Sequence, residues 1–147
     1  MNKNAIAKEK FSASCNCAQS VLVALAGDVA NDNTLQLMAS AFGGGIAQTG
    51  NTCGAVTGAL MALGIKNGYT QAGSAEDKAE LYRMANDFLR SFQEKNGSCN
   101  CKDLIKYDIS VAGEKEKARN AGVFTNLCPV FVVSAVEIMD DILHYHK

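Results

Sequence analysis

Cysteine thiols are the side chains of this chain whose type and spacing could do chemistry. The chain has 147 residues and six cysteines, although a domain of this length buries enough surface to fold without disulfides or a metal. A thiolate attacks disulfides and oxidants, and it also binds zinc and iron–sulfur clusters. The pattern therefore indicates redox chemistry or metal binding. The alternative is that the cysteines are unreactive and pack as small buried hydrophobic residues. The six residues are Cys15, Cys17, Cys53, Cys99, Cys101 and Cys128.

Four of the cysteines stand just after residues that commonly cap helices. Asn16, Thr52 and Asn100 each precede a cysteine, and Thr125 and Asn126 lie shortly before another. A thiolate in the first turn of a helix faces unpaired N–H donors, which lower the pKa of a free cysteine from its usual ~8.5. If the four helix starts converge, the pocket between them also suits an anionic ligand or a thiolate-bound metal. These cysteines are Cys17, Cys53, Cys101 and Cys128.

Seven helical segments would position these thiols. Apolar residues recur at helical spacing, and Gly and Asn residues interrupt them at regular points, whereas strand-like alternation is weak. Pro129 falls in the first turn of the last segment, where its missing N–H costs nothing. We therefore predict an all-α fold, a compact bundle of about five to seven helices in a single domain over residues 1–147. The segments are 17–29, 34–42, 53–65, 74–95, 101–106, 112–120 and about 128–145.

Glycines stand close to the predicted thiol site in two places. Gly54 and Gly58 lie four apart, which gives the helix after Cys53 a smooth face that another backbone can approach closely. The triplet Gly43, Gly44 and Gly45 forms a loop just before that helix. Neither matches a dinucleotide-binding or P-loop fingerprint. These glycines either allow close packing or cradle a ligand, and both interpretations remain open at this stage.

The stretch at residues 53–58, CGAVTG, carries a resemblance to a known family. The chain resembles the C_GCAxxG_C_C family of redox-active proteins over nearly its whole length. The resemblance implies that the family cysteines are Cys17, Cys53, Cys101 and Cys128 and that their role is thiol redox chemistry. This sequence departs from the pattern by adding Cys15 and Cys99, which create two Cys-x-Cys pairs. Further matching stretches are CAQSVL at 17–22, FGGG at 42–45 and CKDL at 101–104.

Thiol–disulfide exchange or redox sensing is the first hypothesis for function, which would make the protein a thiol–disulfide oxidoreductase. A thiolate would attack a disulfide or an oxidant, and a second cysteine would resolve the intermediate. Cys17 and Cys53 are the expected central pair, with Cys101 and Cys128 as a second pair or as resolving partners. The two added cysteines would serve as auxiliary resolving or relay thiols. A thiol or electron-transfer partner of unknown identity would complete the cycle.

A metal-binding module is the second hypothesis. The four family cysteines could hold zinc or an iron–sulfur cluster, since both prefer thiolate ligands. Their spacing differs from the C-x₂₋₄-C hooks of structural zinc sites, and they are scattered along the chain. No C-x-x-C-H sequence is present, so covalent c-type haem is not expected. No cofactor is therefore implied with certainty.

Charge and hydropathy limit the classes of partner and the cellular compartment that we expect for this protein. The formal net charge is -1, with 14 Lys and Arg against 15 Asp and Glu, which does not fit a nucleic-acid binder. The first residues contain no signal-peptide core, and no run of apolar residues reaches the ~18–20 needed to span a membrane, so we expect a cytoplasmic protein. A homodimer remains open. The two histidines, His144 and His146, are expected in a solvated tail.

Overall fold

Eight α-helices make up most of the computed structural model, which describes residues 2–145, and no strand occurs in that part of the chain. The prediction of an all-α fold is confirmed, and each predicted segment corresponds to one of the last seven helices. His144 lies exposed at the end of the final helix, while His146 lies outside the described residues. The helices are α1 (Lys3–Ser12), α2 (Cys17–Ala26), α3 (Asp32–Ala39), α4 (Gly54–Asn67), α5 (Ala75–Asn96), α6 (Cys101–Ile105), α7 (Glu114–Asn120) and α8 (Cys128–Tyr145).

Helix α1 is the element that the sequence did not predict. Its residues are largely polar, and only Ala7 is fully buried, so no apolar stripe marks a helix. The Asn2 side chain accepts a hydrogen bond from the Ala5 N–H at 2.8 Å and caps the first turn. Packing against α2 and α8 then stabilises a helix that has little amphipathic character of its own.

Helices α2 and α4 form the closest helix pair of the core. A Cβ atom added at Gly58 would lie 2.6 Å from the carbonyl oxygen of Ala18, and one added at Gly54 would lie 2.9 Å from the backbone nitrogen of Ala18. Real side chains do not approach a backbone so closely, so both positions require glycine for the two helices to meet. This contact brings the first residues of α2 and α4 together.

A π-helical turn, Val123–Leu127, runs directly into α8. The backbone N–H of Cys128 donates to the carbonyl of Val123, five residues earlier. Pro129 has no N–H to give to the preceding turn, and its ring crowds the carbonyl four residues back. A wider turn relieves that crowding, which gives a physical reason for the π-helical geometry here.

The continuous helix Val123–Tyr145 has 23 residues and is long and apolar enough to cross a membrane by length and composition alone. The expectation that no segment reaches this length counted only uninterrupted apolar residues and missed this helix. In the fold, 44% of its most apolar window is buried inside the protein. Helix α8 packs against α1, α2, α4 and α5, as a core helix does.

Candidate thiol pocket

A pocket of about 780 Å³ lies where the first turns of α2, α4 and α6 meet the junction between the π-helical turn and α8. Five of the six cysteines line it, and all six are free thiols. We call this cavity the thiol pocket. The fold thus brings together the four cysteines that the sequence placed at helix starts, although they span more than 100 residues of the chain. The five lining cysteines are Cys15, Cys17, Cys53, Cys101 and Cys128.

Local backbone structure fixes the direction of each helix into the pocket. Asn16 caps α2 through a reciprocal capping box with Gln19, so Cys17 is the first helical residue. Cys53 is itself the N-cap residue of α4, and Cys101 is the first residue of α6. Helix α8 starts at Cys128 as predicted, but the π-helical turn before it uses the Cys128 N–H. The Cys128 sulfur therefore does not lie at a helix N-terminus with unpaired N–H groups.

A short bridge between two chain segments joins the starts of α4 and α6. Thr52 and Asn100 form an isolated antiparallel bridge. The N–H of Cys53 donates to the carbonyl of Cys99 at 2.8 Å, and the N–H of Cys101 donates to the carbonyl of Asn51 at 2.6 Å. These bonds hold the segments of Cys53 and Cys101 side by side, although nearly 50 residues separate the two cysteines in sequence.

The loop at residues 43–50 forms one wall of the pocket. Five successive residues have φ between 50° and 73°, and three of them are not glycine. The left-handed region costs a non-glycine residue roughly 1–2 kcal/mol, so the surrounding contacts must stabilise this loop. Gly45 is required for a second reason, since a Cβ atom there would lie 2.6 Å from the Cβ atom of Cys101. The five residues are Gly44, Gly45, Ile46, Ala47 and Gln48.

The glycines named from the sequence therefore divide into two groups. Gly58 serves helix packing, because its missing side chain admits the backbone of Ala18. The other four, from the triplet and the start of α4, line the thiol pocket while also allowing close contacts. A Cβ atom at Gly43, for example, would lie 2.9 Å from that of Asn16. The four are Gly43, Gly44, Gly45 and Gly54.

Burial dominates the pKa of two pocket thiols. Burial raises the pKa of Cys53 to about 12, although the N–H groups of Ala55 and Val56 oppose the shift. Burial also raises the pKa of Cys101 to about 11, and the nearby Cys128 sulfur adds to the effect. The expectation that a helix start lowers the pKa is wrong for these residues, because desolvation of the thiolate outweighs the helix N–H groups.

Cys17 and Cys128 differ from these two thiols because each one shifts the pKa of the other. Hydrogen bonding with Cys17 lowers the pKa of Cys128, and burial opposes that shift. The same hydrogen bond, together with burial, raises the pKa of Cys17 well above that of an ordinary thiol. Cys128 therefore ionises at a lower pH than Cys17 does.

The two added cysteines occupy different environments. The sulfur of Cys15 lies 3.5 Å from the Gln36 Oε1 atom and faces the thiol pocket. Cys99 instead lines a separate outer cleft, which Lys102 also lines, and its sulfur lies 3.7 Å from the carbonyl oxygen of Leu89. Burial raises the pKa of Cys99.

Two basic residues of the pocket were missed at the sequence level. Lys115 and Arg119 lie on α7 and line the thiol pocket, and no Asp or Glu does so among the described residues. The Lys115 Nζ atom donates to Gln48 Oε1 at 2.8 Å, which ties α7 to the left-handed loop. Their four-residue spacing puts them on one helix face and was the available signal. Three Lys and Arg residues lie in that segment, however, so the spacing did not distinguish these two.

The side chains of the thiol pocket do not form a set of metal ligands. Within residues 2–145, no group of three or more His, Cys, Asp or Glu side chains is arranged to hold a metal ion. The four cysteines proposed as zinc or iron–sulfur ligands thus share a pocket without forming a ligand set. The donor arrangement does not fit a bound metal in this conformation.

Comparisons with known proteins match most of the chain to one family. A family model described as "Putative redox-active protein (C_GCAxxG_C_C)" matches residues 15–142. A protein of Archaeoglobus fulgidus, described as uncharacterized, is 34% identical over 100 residues, which cover 60% of this chain and 64% of that protein. The chain thus matches slightly under two thirds of that relative's length. No solved structure gives a significant match.

Proposed function

The chain belongs to the C_GCAxxG_C_C family of redox-active proteins, and on that premise we propose that it is a thiol–disulfide oxidoreductase whose reacting pair is Cys17 and Cys128. Two observations support the proposal: Cys17 and Cys128 line the same pocket, and each shifts the pKa of the other in the opposite direction. Interaction with Cys17 lowers the pKa of Cys128, and interaction with Cys128 raises the pKa of Cys17, so the more acidic thiol has a protonated thiol as its partner. Opposite pKa shifts in adjacent groups are typical of paired reactive residues.

The reaction is an exchange of two electrons between the pair and a disulfide. The Cys128 thiolate attacks one sulfur of the substrate disulfide, forms a mixed disulfide and releases one substrate thiolate, which takes up a proton. Cys17 then loses its proton and attacks the Cys128 sulfur, which releases the second substrate thiol. The protein ends with a Cys17–Cys128 disulfide, and the substrate disulfide ends as two thiols. A dithiol reductant restores the starting state by the reverse exchange.

This pairing differs from the sequence-based preference for Cys17 with Cys53. Burial raises the pKa of Cys53 to about 12, so its thiol stays protonated at neutral pH and is a poor nucleophile. A cytoplasmic setting suits this cycle, because all six cysteines are free and a reducing compartment returns the pair to its thiol form.

The proposal is tested by measuring how fast each cysteine reacts with iodoacetamide as a function of pH. Mass spectrometry of the digested protein identifies the labelled residue. We expect Cys128 to be labelled first, with a midpoint below that of an ordinary thiol. Cys17→Ala removes the group that lowers the pKa of Cys128, so the Cys128 midpoint should move upward and its labelling rate at pH 7 should fall.

The matched control is Cys99→Ala, which removes a thiol outside the pocket and should leave the Cys128 midpoint unchanged. Oxidation of the reduced protein with excess disulfide should then give a Cys17–Cys128 crosslink. A dominant Cys17–Cys53 crosslink would overturn the assigned pair. Stoichiometric zinc or iron in anaerobically purified protein, lost on Cys53→Ser, would replace the redox proposal with the metal-binding one.

A further inference from the structure

We propose that the thiol pocket selects small disulfides that carry negative charge, and that Lys115 and Arg119 bind that charge while a substrate sulfur reacts at Cys128. This inference rests on the proposed function, because it names the substrate class for the same pocket. The volume of about 780 Å³ falls within the range of small-molecule sites. Carboxylate groups on the substrate are the chemistry that the two cations would recognise.

The two cations lie side by side on the pocket face of α7. Their spacing of four residues puts Lys115 and Arg119 about one helical turn apart. Lys115 is half-buried, and its ammonium donates to the neutral amide oxygen of Gln48 at 2.8 Å. Arg119 is exposed, and both residues line the cavity from one wall, where a substrate carboxylate could meet them together.

Charge compensation from the protein is missing at this wall. Within the described residues, neither Lys115 nor Arg119 forms an ion pair, whereas the neighbouring Lys117 pairs with Glu114 at 3.0 Å. No carboxylate of residues 2–145 lines the pocket. Two cations without a carboxylate in a partly enclosed cavity produce a positive potential that attracts anions.

Binding of the charge and activation of the thiol are separate tasks in this pocket. The pKa of Cys128 is lowered by its hydrogen bond with Cys17, and burial opposes that shift. Removal of the two cations should therefore change which substrates react without changing the intrinsic reactivity of the thiol. A neutral disulfide can report that intrinsic reactivity directly.

The test compares three disulfides of similar size and different charge. Dithiodipropionate is dianionic, hydroxyethyl disulfide is neutral and cystamine is dicationic at pH 7. We expect the reduced protein to be oxidised about tenfold faster by dithiodipropionate than by hydroxyethyl disulfide, and more slowly still by cystamine. The preference should shrink at high ionic strength, because salt screens the cations at the pocket mouth.

Variants of α7 identify the residues responsible. The double variant Lys115→Gln with Arg119→Gln should lose the preference for the anion, so its ratio of the rates with dithiodipropionate and hydroxyethyl disulfide should fall about tenfold. Lys115→Arg should retain the preference, because it keeps the charge. Lys117→Gln is the matched control, since it removes a cation of the same helix outside the pocket, and the preference should persist.

The outcomes separate this inference from the proposed function. Equal rates with all three disulfides, or an anion preference that survives in the double variant, would overturn the inference while the Cys17–Cys128 crosslink still forms. If none of the three disulfides produces that crosslink, the proposed function itself fails. Urea unfolding of the double variant shows separately that it remains folded.

Discussion

The two Cys-x-Cys pairs share the sequence Cys-Asn-Cys, yet only one pair faces the thiol pocket with both sulfurs. The central asparagines, Asn16 and Asn100, both have extended backbone. Cys15 lines the pocket beside its partner, whereas Cys99 lines the outer cleft on the other side of its segment. Identical local sequence and similar backbone therefore give different placements.

Tertiary contacts account for the difference between the pairs. The Asn16 side chain accepts the N–H of Gln19 and donates to the carbonyls of the turn after α3, which fixes the first pair against that turn. Asn100 instead pairs with Thr52, and the carbonyl of Cys99 accepts the N–H of Cys53. Surroundings rather than sequence spacing decide which thiol enters the pocket. The same contrast holds between other matched positions, one enclosed by the fold, which we call inner, and one facing solvent or the outer cleft, which we call outer.

The largest difference between inner and outer positions is expected at two glycines of α4. Gly58→Ala would force a Cβ atom to within 2.6 Å of the Ala18 carbonyl, so the variant should lose about 3 kcal/mol of the free energy of unfolding. Gly64→Ala is the matched change on the outer side, where nothing lies within 4 Å of the added atom. That variant should gain up to about 1 kcal/mol from helix propensity. Urea unfolding of both variants measures the two effects.

Equal stability of the two variants would show that α2 and α4 do not meet as closely as the fold requires. The loss at Gly58 should also slow the labelling of Cys128 or broaden its pH profile, since the α2–α4 contact orients Cys17 toward it. The change at Gly64 should leave that profile as it is. This second readout distinguishes a shifted pocket from a merely weakened fold.

The sequence predicted the helices better than it predicted the chemistry of their first residues. Apolar spacing and caps such as Asn16 and Ser74 act locally, so seven segments could be recognised. Helix α1 lacked any apolar stripe, and its stability depends on packing with distant segments. The pKa values of the cysteines depend on burial and on which thiols meet, and neither property is encoded by a cap. Cys53 shows this, because its raised pKa opposes the local expectation.

Alkaline pH should separate the inner thiol Cys53 from the outer thiol Cys99. Burial raises the pKa of Cys53 from 9.0 to about 12, so the folded protein keeps a proton that the unfolded chain releases. The protonated Cys53 thiol makes its full contribution to the free energy of unfolding below the pKa of the unfolded chain, and this contribution is lost as the pH rises from that value toward the pKa of the folded protein. Between pH 7 and about pH 10.5 the loss amounts to about 2 kcal/mol. Chemical unfolding across this range measures it.

In Cys53→Ala the free energy of unfolding should fall less steeply between pH 7 and about pH 10.5. This expectation does not depend on how the substitution changes stability at pH 7. Cys99→Ala is the matched control and should change the slope much less, because Cys99 is only half-buried. Only the change in slope is compared, since each substitution also alters packing. If the free energy of unfolding of Cys53→Ala falls with pH as steeply as that of the wild type, then water reaches the Cys53 thiol and this residue is less buried than the structure indicates.

The smallest expected effect concerns the first cysteines of the two pairs. In a Cys17→Ser background, a mixed disulfide on Cys128 has lost its primary resolving thiol. Cys15 lines the same pocket and should resolve it slowly, whereas Cys99 faces the outer cleft and cannot reach it directly. Adding Cys15→Ser to Cys17→Ser should therefore slow release of the second substrate thiol about threefold, and adding Cys99→Ser should not.

Quenched-flow measurement of thiol release, with mass spectrometry of the trapped protein, follows this step. The Cys17→Ser variant should accumulate a Cys15–Cys128 crosslink, because both sulfurs face one cavity. A Cys99–Cys128 crosslink in its place would show that the outer thiol reaches the pocket through motion of the Thr52–Asn100 bridge. The two Cys-x-Cys pairs would then be equivalent in the reaction despite their different placement, and the contrast between inner and outer thiols would hold only for the resting protein.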